Sequence, residues 1–433
     1  MRKQKSSLLP VIASLLVLGL VIGVAYYIPT SQWLNTPVAD KLCQTTVTGT
    51  LTLDHDLYCP APGPKEVEGS ASQTVAFILK SGATLDCAHH KITGTAGTGI
   101  YLADSANVIV KNCRFFGFDV GLSAHSVEKL TVSNSDFQVV RGGIECAQCD
   151  HVRVEETQIA GQGAMALWGM EFTGGSDINL VKNHIQMFLN GGINFYGSAQ
   201  INVVENVIER IRDTGIGFFG KQGFSPVTGG RIAHNEIRQI EKVGALEVMH
   251  GTRDLVVEKN KISDTHSVLH IYEKGDFGLI ENVRFIENVI DRSYWPFTLH
   301  NCRNIEIADN QVLLSGIGGL ATLEDAKEIQ ITGNLFRLTR GPVVVNKDCG
   351  DLTFKNNRYE DSFGKFIQVN YITRDVIIAL NDWGKCPEKA DFDRIEYPQD
   401  LNPILLKGPT ETLPYRLQDK NKDGKDDHHC KAN

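Results

Sequence analysis

INLVKNHIQMFLNGGINFYGSAQINVVENVIERIRDTGIGFF, residues 178–219, contains two passes of one pattern. An apolar, β-branched stretch runs into asparagine, INLVKN to Asn183 and NVVEN to Asn206. A second stretch then opens on glycine, GINFY from 192 and GIGFF from 215. Apolar residues alternate by two in both, which is the period of strands and not of helices. Working outward, the first element recurs as VIVKN to Asn112, LTVSN to Asn134, RIAHN to Asn235 and LVVEKN to Asn260. It continues as VRFIEN to Asn288, IEIADN to Asn310, IQITGN to Asn334, LTFKNN to Asn357 and VIIALN to Asn381. VRVEET, with Glu156 at the expected position, takes the one place without an asparagine, and successive repeats lie 22 to 29 residues apart.

The second element recurs as GIYLA at 99, GLSAH at 121, GIECA at 143, ALWGM at 166, ALEVM at 245, VLHIY at 268 and PFTLH at 296. Its alternation places Ile100, Leu122, Ile144, Leu167, Ile193, Ile216, Leu246, Leu269 and Phe297 on one inward column. A unit of this size cannot bury its apolar face alone, whereas stacked units share a continuous core. Strands of adjacent coils lie about 4.8 Å apart, so like residues align and an inward asparagine bonds its equivalents above and below.

This pattern resembles the right-handed parallel β-helix proteins of the pectin-lyase-like superfamily, over roughly residues 40–405. The opening CQTTVTGTLTLDHDLYC with GATLDCAHHKITGTAGTGIYL is similar to that family's cap and first coil, and ALNDWGK at 379–385 to its closing segment. The expected fold is all-β: a right-handed parallel β-helix solenoid of about 12 coils, preceded by an N-terminal transmembrane or signal helix. The expected organisation is a signal anchor or signal peptide over 1–30, a linker over 31–42 and an N-terminal cap over 43–73. The β-helix follows over 74–385, a C-terminal cap over 386–415 and a calcium-loop tail over 416–433.

The 433 residues carry a net charge of −8, which leaves no basic footprint for nucleic acid. Arg2, Lys3 and Lys5 precede an apolar run from Leu8 to Ile28, long enough to span a bilayer at about 1.5 Å per residue. It reads as an uncleaved anchor or as a cleaved signal peptide, with Gly23-Val24-Ala25 as a cleavage site. Either places the remainder outside the cytoplasm, in the periplasm or at the cell surface.

Ten cysteines suit such a compartment. Cys43 and Cys59 are the first expected disulfide, and Cys386 with Cys430 a second candidate. Cys87 and Cys113 read as small buried residues, and Cys146-x-x-Cys149 has no partner motif that would make it a metal or redox centre. In the tail, DKNKDGKDD offers Asp419, Asn421, Asp423, the Lys425 carbonyl and Asp427 as calcium ligands, with Gly424 at the sharp turn. It resembles the single calcium loops of thrombospondin type-3 repeats. An EF-hand requires Glu at position 12, where Cys430 stands. The alternative reading is a solvated charged tail.

In the resembled family an active cleft lies on the outward face of the small-residue-led strand. There the early and middle coils present Tyr101, Ser123, Glu145, Trp168, Asn194 and Tyr196. The later coils present Glu247 and His250, then His270 and Tyr272 beside Glu273, then Thr298 and His300. Register predicts Glu247 stacked on His270 and Tyr272 stacked on His300. The preceding turns add Arg212, Asp213, Asp264, His266, Arg292, Tyr294 and Trp295. His270, Tyr272, His300, His250 and Glu247 form the candidate catalytic set, because His, Tyr and Glu serve as general acids and bases. Arg212 is the candidate carboxylate neutraliser, and Trp168, Tyr196 and Trp295 are candidate sugar contacts. Abstraction of a proton beside a uronic carboxylate needs these three types, giving a polysaccharide lyase or C5-epimerase as the leading expectation. A non-catalytic scaffold for glycan or protein is the alternative. Glycoside hydrolysis is a third reading, with Glu145, Glu247 and Glu273 as its carboxylates. The sequence lacks the Asp-Pro-His-Glu of mannuronan epimerases, the Gly-His-Gly of polygalacturonases and the Arg-x-Pro-x-x-Arg of pectate lyases.

Overall fold

A computed structural model of the chain describes residues 39–60, 74–220, 225–273, 278–341, 343–346, 348–362, 367–369, 374–379, 381 and 395–396. The apolar run at 8–28, the Cys386–Cys430 pair and the calcium loop at 419–427 lie outside these. Among the described residues no helix is long and apolar enough to cross a membrane.

Each coil is built from three strand segments, which run together in some coils, as in Arg114–Ser133 and Val289–Ala308, and each segment pairs in parallel with its equivalents in adjacent coils. In one coil these are Gly191–Tyr196, Ala199–Val204 and Val207–Ile211; in the next, Thr214–Phe219, Thr228–Ala233 and Glu236–Ile240. The glycine-led face pairs continuously from Thr45–Val47 with Val75–Leu79 through to Ile367–Val369 with Ile395–Glu396, so about a dozen coils stack as one solenoid. The alternation read from sequence is the one that folds: Ile193, Phe195, Ile216 and Phe218 are fully buried. Identical residues stack from coil to coil, as in Phe172, Phe195 and Phe218, whose rings lie 5.4 and 5.5 Å apart. Each such pair contributes about 0.5–1.5 kcal/mol beyond area burial.

The asparagine ladder occupies the turn between the second and third strands. Asn183, Asn206, Asn235, Asn260, Asn288, Asn310, Asn334, Asn357 and Asn381 are buried. From Asn183 to Asn357, each donates from its backbone N and its Nδ2 to Oδ1 of the next, at 2.8–3.1 Å. The sequence reading placed three further rungs one residue too early. Asn112, Asn134 and Glu156 have φ of 54°, 46° and 49°, the conformation that Lys182, Glu205 and Lys259 adopt just before true rungs. The rung positions are instead Cys113, Ser135 and Thr157. Ser135 Oγ accepts from Cys113 N, and Thr157 N donates to Asn183 Oδ1. A residue in the left-handed region turns the next side chain inward, and Asn tolerates that region better than most, which is why it occurs there as well.

Three disulfides close the N-terminal half. Cys43–Cys59 forms as expected. Cys87 and Cys113, read as isolated small residues, are bonded to one another; both stand in the ladder column on adjacent coils, so a covalent bond replaces the amide contact. Cys146 and Cys149 are also bonded, closing the turn after their strand. Cys302 and Cys349 are buried thiols.

Candidate functional site

The outward face of the glycine-led strands carries two main columns of side chains. The first runs Tyr101, Ser123, Glu145, Glu171, Asn194, Gly217, Glu247, His270, Thr298 and Thr322. The second runs His125, Ala147, Thr173, Tyr196 and Phe219, and further along Tyr272, His300 and Glu324. Glu247 thus neighbours His270, and Tyr272 neighbours His300, as the sequence register predicted. Tyr272 lies 5.0 Å from the His300 ring and 5.9 Å from the His270 ring.

One coil was misread. Leu167 is not on the inward column and Trp168 is not beside Glu145: Met170 pairs with Ile144 and Ile193, and Glu171 pairs with Glu145 and Asn194. The segment Gln162–Leu167 is an excursion ahead of the strand Trp168–Thr173. Gly169-Met170-Glu171-Phe172 matches Gly143-Ile144-Glu145-Cys146 and Gly192-Ile193-Asn194-Phe195, and that small–apolar–polar–apolar order is the signal that would have found Glu171. The shift brings two carboxylates onto adjacent coils, about 4.8 Å apart at the backbone.

Trp168 lies at the entry edge of the face, in a column with Gly142, Gly191 and Thr214. A Cβ on Gly142 would strike its indole, so the glycine lets the ring lie across the neighbouring coil. The Arg141 guanidinium stands 5.8 Å over that ring. Asn194 is folded over Gly191 in the same way. Trp168 Nε1 and Asn194 Oδ1 are buried without a hydrogen-bond partner, a donor and an acceptor on neighbouring coils. Trp295 occupies the same edge column beside Ser267, five coils from Trp168 or roughly 24 Å. It meets Tyr294, which stacks on His266 at 5.5 Å.

Electrostatics single out the middle coils. Burial raises the Glu145 carboxyl above its ordinary pKa, against the opposing pull of Arg141 and a Ser123 hydrogen bond. Burial likewise raises Glu247, whose Oε2 accepts from Thr214 Oγ1 at 2.6 Å; Asp213 adds to the rise. Tyr196 is pushed up to about 12 by burial and by the charges of Glu171 and Glu247. Its ring packs 5.2 Å from Phe219. Gly217 lets the Phe219 ring lie across it beside Asn194, so in the column Glu171 and Glu247 flank Asn194 and Gly217, with Tyr196 and Phe219 alongside. Farther along, burial and the neighbouring His266 lower the His270 pKa, favouring the neutral ring.

Three predicted residues stand apart from this face. Arg212 lies in the turn before Thr214, with Nε 3.3 Å from Asp213 Oδ1, so its charge is already matched. His250 sits in the turn after Val248 at φ 55°, against Gly220. Glu273 is 1% exposed and does not face the groove as an open carboxylate.

Residues 75–232 match the family model described as right handed beta helix region. The chain is built on a right-handed parallel β-helix. No curated protein sequence matches it. Among solved structures, the Arthrobacter chlorophenolicus DFA-IIIase without its lid is similar at 12% identity and a TM-score of 0.44, over 70% of this chain and 75% of that one. The mannuronan C-5 epimerase A-module of Azotobacter vinelandii gives 11% and 0.41, over 77% and 88%. The alpha-1,3-glucanase catalytic unit of Streptomyces thermodiastaticus gives 14% and 0.43, over 78% and 61%.

Proposed function

We propose that this β-helix acts on a neutral polysaccharide lying along the groove, cleaving a glycosidic bond between Glu145 and Glu171. The observation that carries the reading is the pairing of these two glutamates on adjacent outward positions, with burial favouring the protonated form of Glu145. A protonated carboxyl is the general acid such chemistry needs, and its neighbour Glu171 serves as nucleophile. Carboxyls about 5–5.5 Å apart correspond to retention of anomeric configuration, and adjacent coils supply a backbone spacing of about 4.8 Å. Trp168 offers a ring for stacking, and the unpaired Trp168 Nε1 and Asn194 Oδ1 suit sugar hydroxyls. Three carboxylates on one column, Glu145, Glu171 and Glu247, favour a neutral chain over a uronate. Three disulfides support an extracytoplasmic setting, with attachment through the N-terminal apolar segment and Ca²⁺ in the 419–427 loop as parts of the same proposal.

The test is reducing-sugar release from a panel of neutral α- and β-glucans and fructans, with the product anomer followed by NMR. Glu145→Gln and Glu171→Gln should each abolish release while remaining folded. Undiminished release in either variant, or no release by the native protein across the panel, counts against hydrolysis.

A second reading retains lyase or C5-epimerase chemistry at His270, Tyr272 and His300. It is favoured by the neutral His270 ring, a competent base, held in register with Tyr272 and His300. Its readout is absorbance near 235 nm on alginate or pectin. A non-catalytic glycan scaffold predicts binding without either product.

A further inference from the structure

Farther along, the same face brings together one imidazole and two carboxylates that hydrolysis does not use. His300 and Glu324 are register partners on adjacent coils, and Asp325 follows Glu324 at the turn, with φ 49°. One ligand-capable atom from each of the three lies within 4.8 Å of the other two, and all three residues are half-buried. His300 Nε2 stands 3.8 Å from Asp325 Oδ2.

The ring is oriented from behind. His300 Nδ1 is 3.1 Å from the Glu273 carbonyl oxygen. A carbonyl only accepts, so Nδ1 carries a proton and Nε2 is left directed toward the carboxylates. A backbone carbonyl holding the second ring nitrogen is the usual support of a metal-bound histidine. Two carboxylates around Nε2 call for a cation between them.

A second observation comes from Glu273 itself, the residue whose carbonyl holds the ring. It is 1% exposed, and both carboxylate oxygens are buried with no hydrogen-bond partner. The ring is therefore anchored to the backbone of a wholly buried residue.

We propose that His300 Nε2, Glu324 and Asp325 bind a divalent transition-metal ion of the Zn²⁺ class. One nitrogen with two carboxylate oxygens suits Zn²⁺, Co²⁺ or Mn²⁺, whereas Ca²⁺ takes oxygen alone. Tetrahedral ligands at about 2.0–2.1 Å from zinc lie roughly 3.4 Å from one another. The 3.8 Å gap between His300 and Asp325 thus has to close by less than an ångström. Three protein ligands leave a fourth position open to water or a sugar hydroxyl. The site stands independently of the Glu145–Glu171 pair, and it makes His300 a ligand where the lyase reading makes it a proton carrier.

The experiment uses the full chain without a polyhistidine tag, stripped with chelator and titrated calorimetrically with ZnCl₂ alone. CoCl₂ is then added to the stripped protein and its visible absorption recorded. The expected result is one equivalent bound, with affinity falling about 100-fold or more in His300→Gln and in Asp325→Asn, and unchanged in the tail variant Asp423→Asn. Cobalt absorption should disappear in the same two variants. Absence of a zinc site in the native chain overturns the proposal, as does a titration in both variants that matches it, which assigns the metal to other histidines. If His300→Gln does not fold by circular dichroism, Glu324→Gln and Asp325→Asn decide the matter, since both keep side-chain shape.

Discussion

Replacing Asn260 by alanine tests the ladder where it is best formed. Asn260 is fully buried. Its Oδ1 accepts from Asn235 N and Asn235 Nδ2, both at 2.9 Å. Its Nδ2 donates to Ile232 O and to Asn288 Oδ1, also at 2.9 Å. After truncation Asn235 Nδ2 still reaches Val203 O, and Asn288 Oδ1 still accepts from the residue-260 backbone N. Asn235 N–H loses its acceptor, and Ile232 O loses a donor. At about 1–3 kcal/mol for each buried group left short, the expected cost is about 4 kcal/mol. Asn134→Ala provides the contrast. Asn134 is exposed at φ 46°, so alanine there loses only its fit to the left-handed region, about 1–2 kcal/mol, and glycine should restore it. Urea unfolding followed by far-UV circular dichroism measures both. In a solenoid the Asn260 change acts at one coil interface, so a broadened or two-step transition is also expected. Equal losses for Asn260→Ala and Asn134→Ala, or a loss below about 1 kcal/mol at Asn260, would refute the assignment of rungs.

Three further outcomes follow from the same structure. Replacing Cys87 and Cys113 together by serine opens a closure of 26 residues and should cost about 3.5 kcal/mol on chain-entropy grounds; a denaturant midpoint unchanged by the substitution contradicts this. Glu145 and Glu247 are raised by burial, so their contribution to stability is whole below the ordinary carboxylate pKa of about 4.3 and is lost as pH rises through the raised folded values. Glu145→Gln/Glu247→Gln should therefore gain in Tm over the native chain between pH 4 and pH 7, and a constant difference rejects the effect. His270 is lowered, so its contribution is present above about pH 6.5 and is lost as pH falls through that value toward the folded one. His270→Asn should flatten this acid-side decline, which a Tm series between pH 5 and pH 8 reads directly.

The solenoid was legible because its physics is repetitive. A period-two apolar pattern recurring every 22–29 residues has few other solutions, and the register it implied placed Glu247 against His270 and Tyr272 against His300. The errors arose where the repeat carries a local exception. Asn serves both as a rung and as the left-handed residue before one, so Asn112 and Asn134 looked like rungs although Cys113 and Ser135 fill that column. Gln162–Leu167 lengthens one coil, which shifted Trp168 onto the face and hid Glu171. The Cys87–Cys113 bond was unreadable for the same reason, since pairing depends on both residues standing in one column. Burial of Glu145 and Glu247 is a property of neighbouring coils, which no single strand encodes.

The ladder also has a direction. In each of its amide bonds the earlier rung donates and the later one accepts. The side-chain dipoles from Asn183 to Asn381 therefore add instead of cancelling, and each bond polarises the next by about 10–30%. Such an array tolerates the gain or loss of a whole coil, because the next rung meets the same acceptor, but not of part of one. Each whole coil lengthens the outward groove by about 4.8 Å. The reach of this protein along an extended ligand is consequently counted in discrete steps, and a lineage can alter it by duplicating or deleting one repeat without redesigning the core.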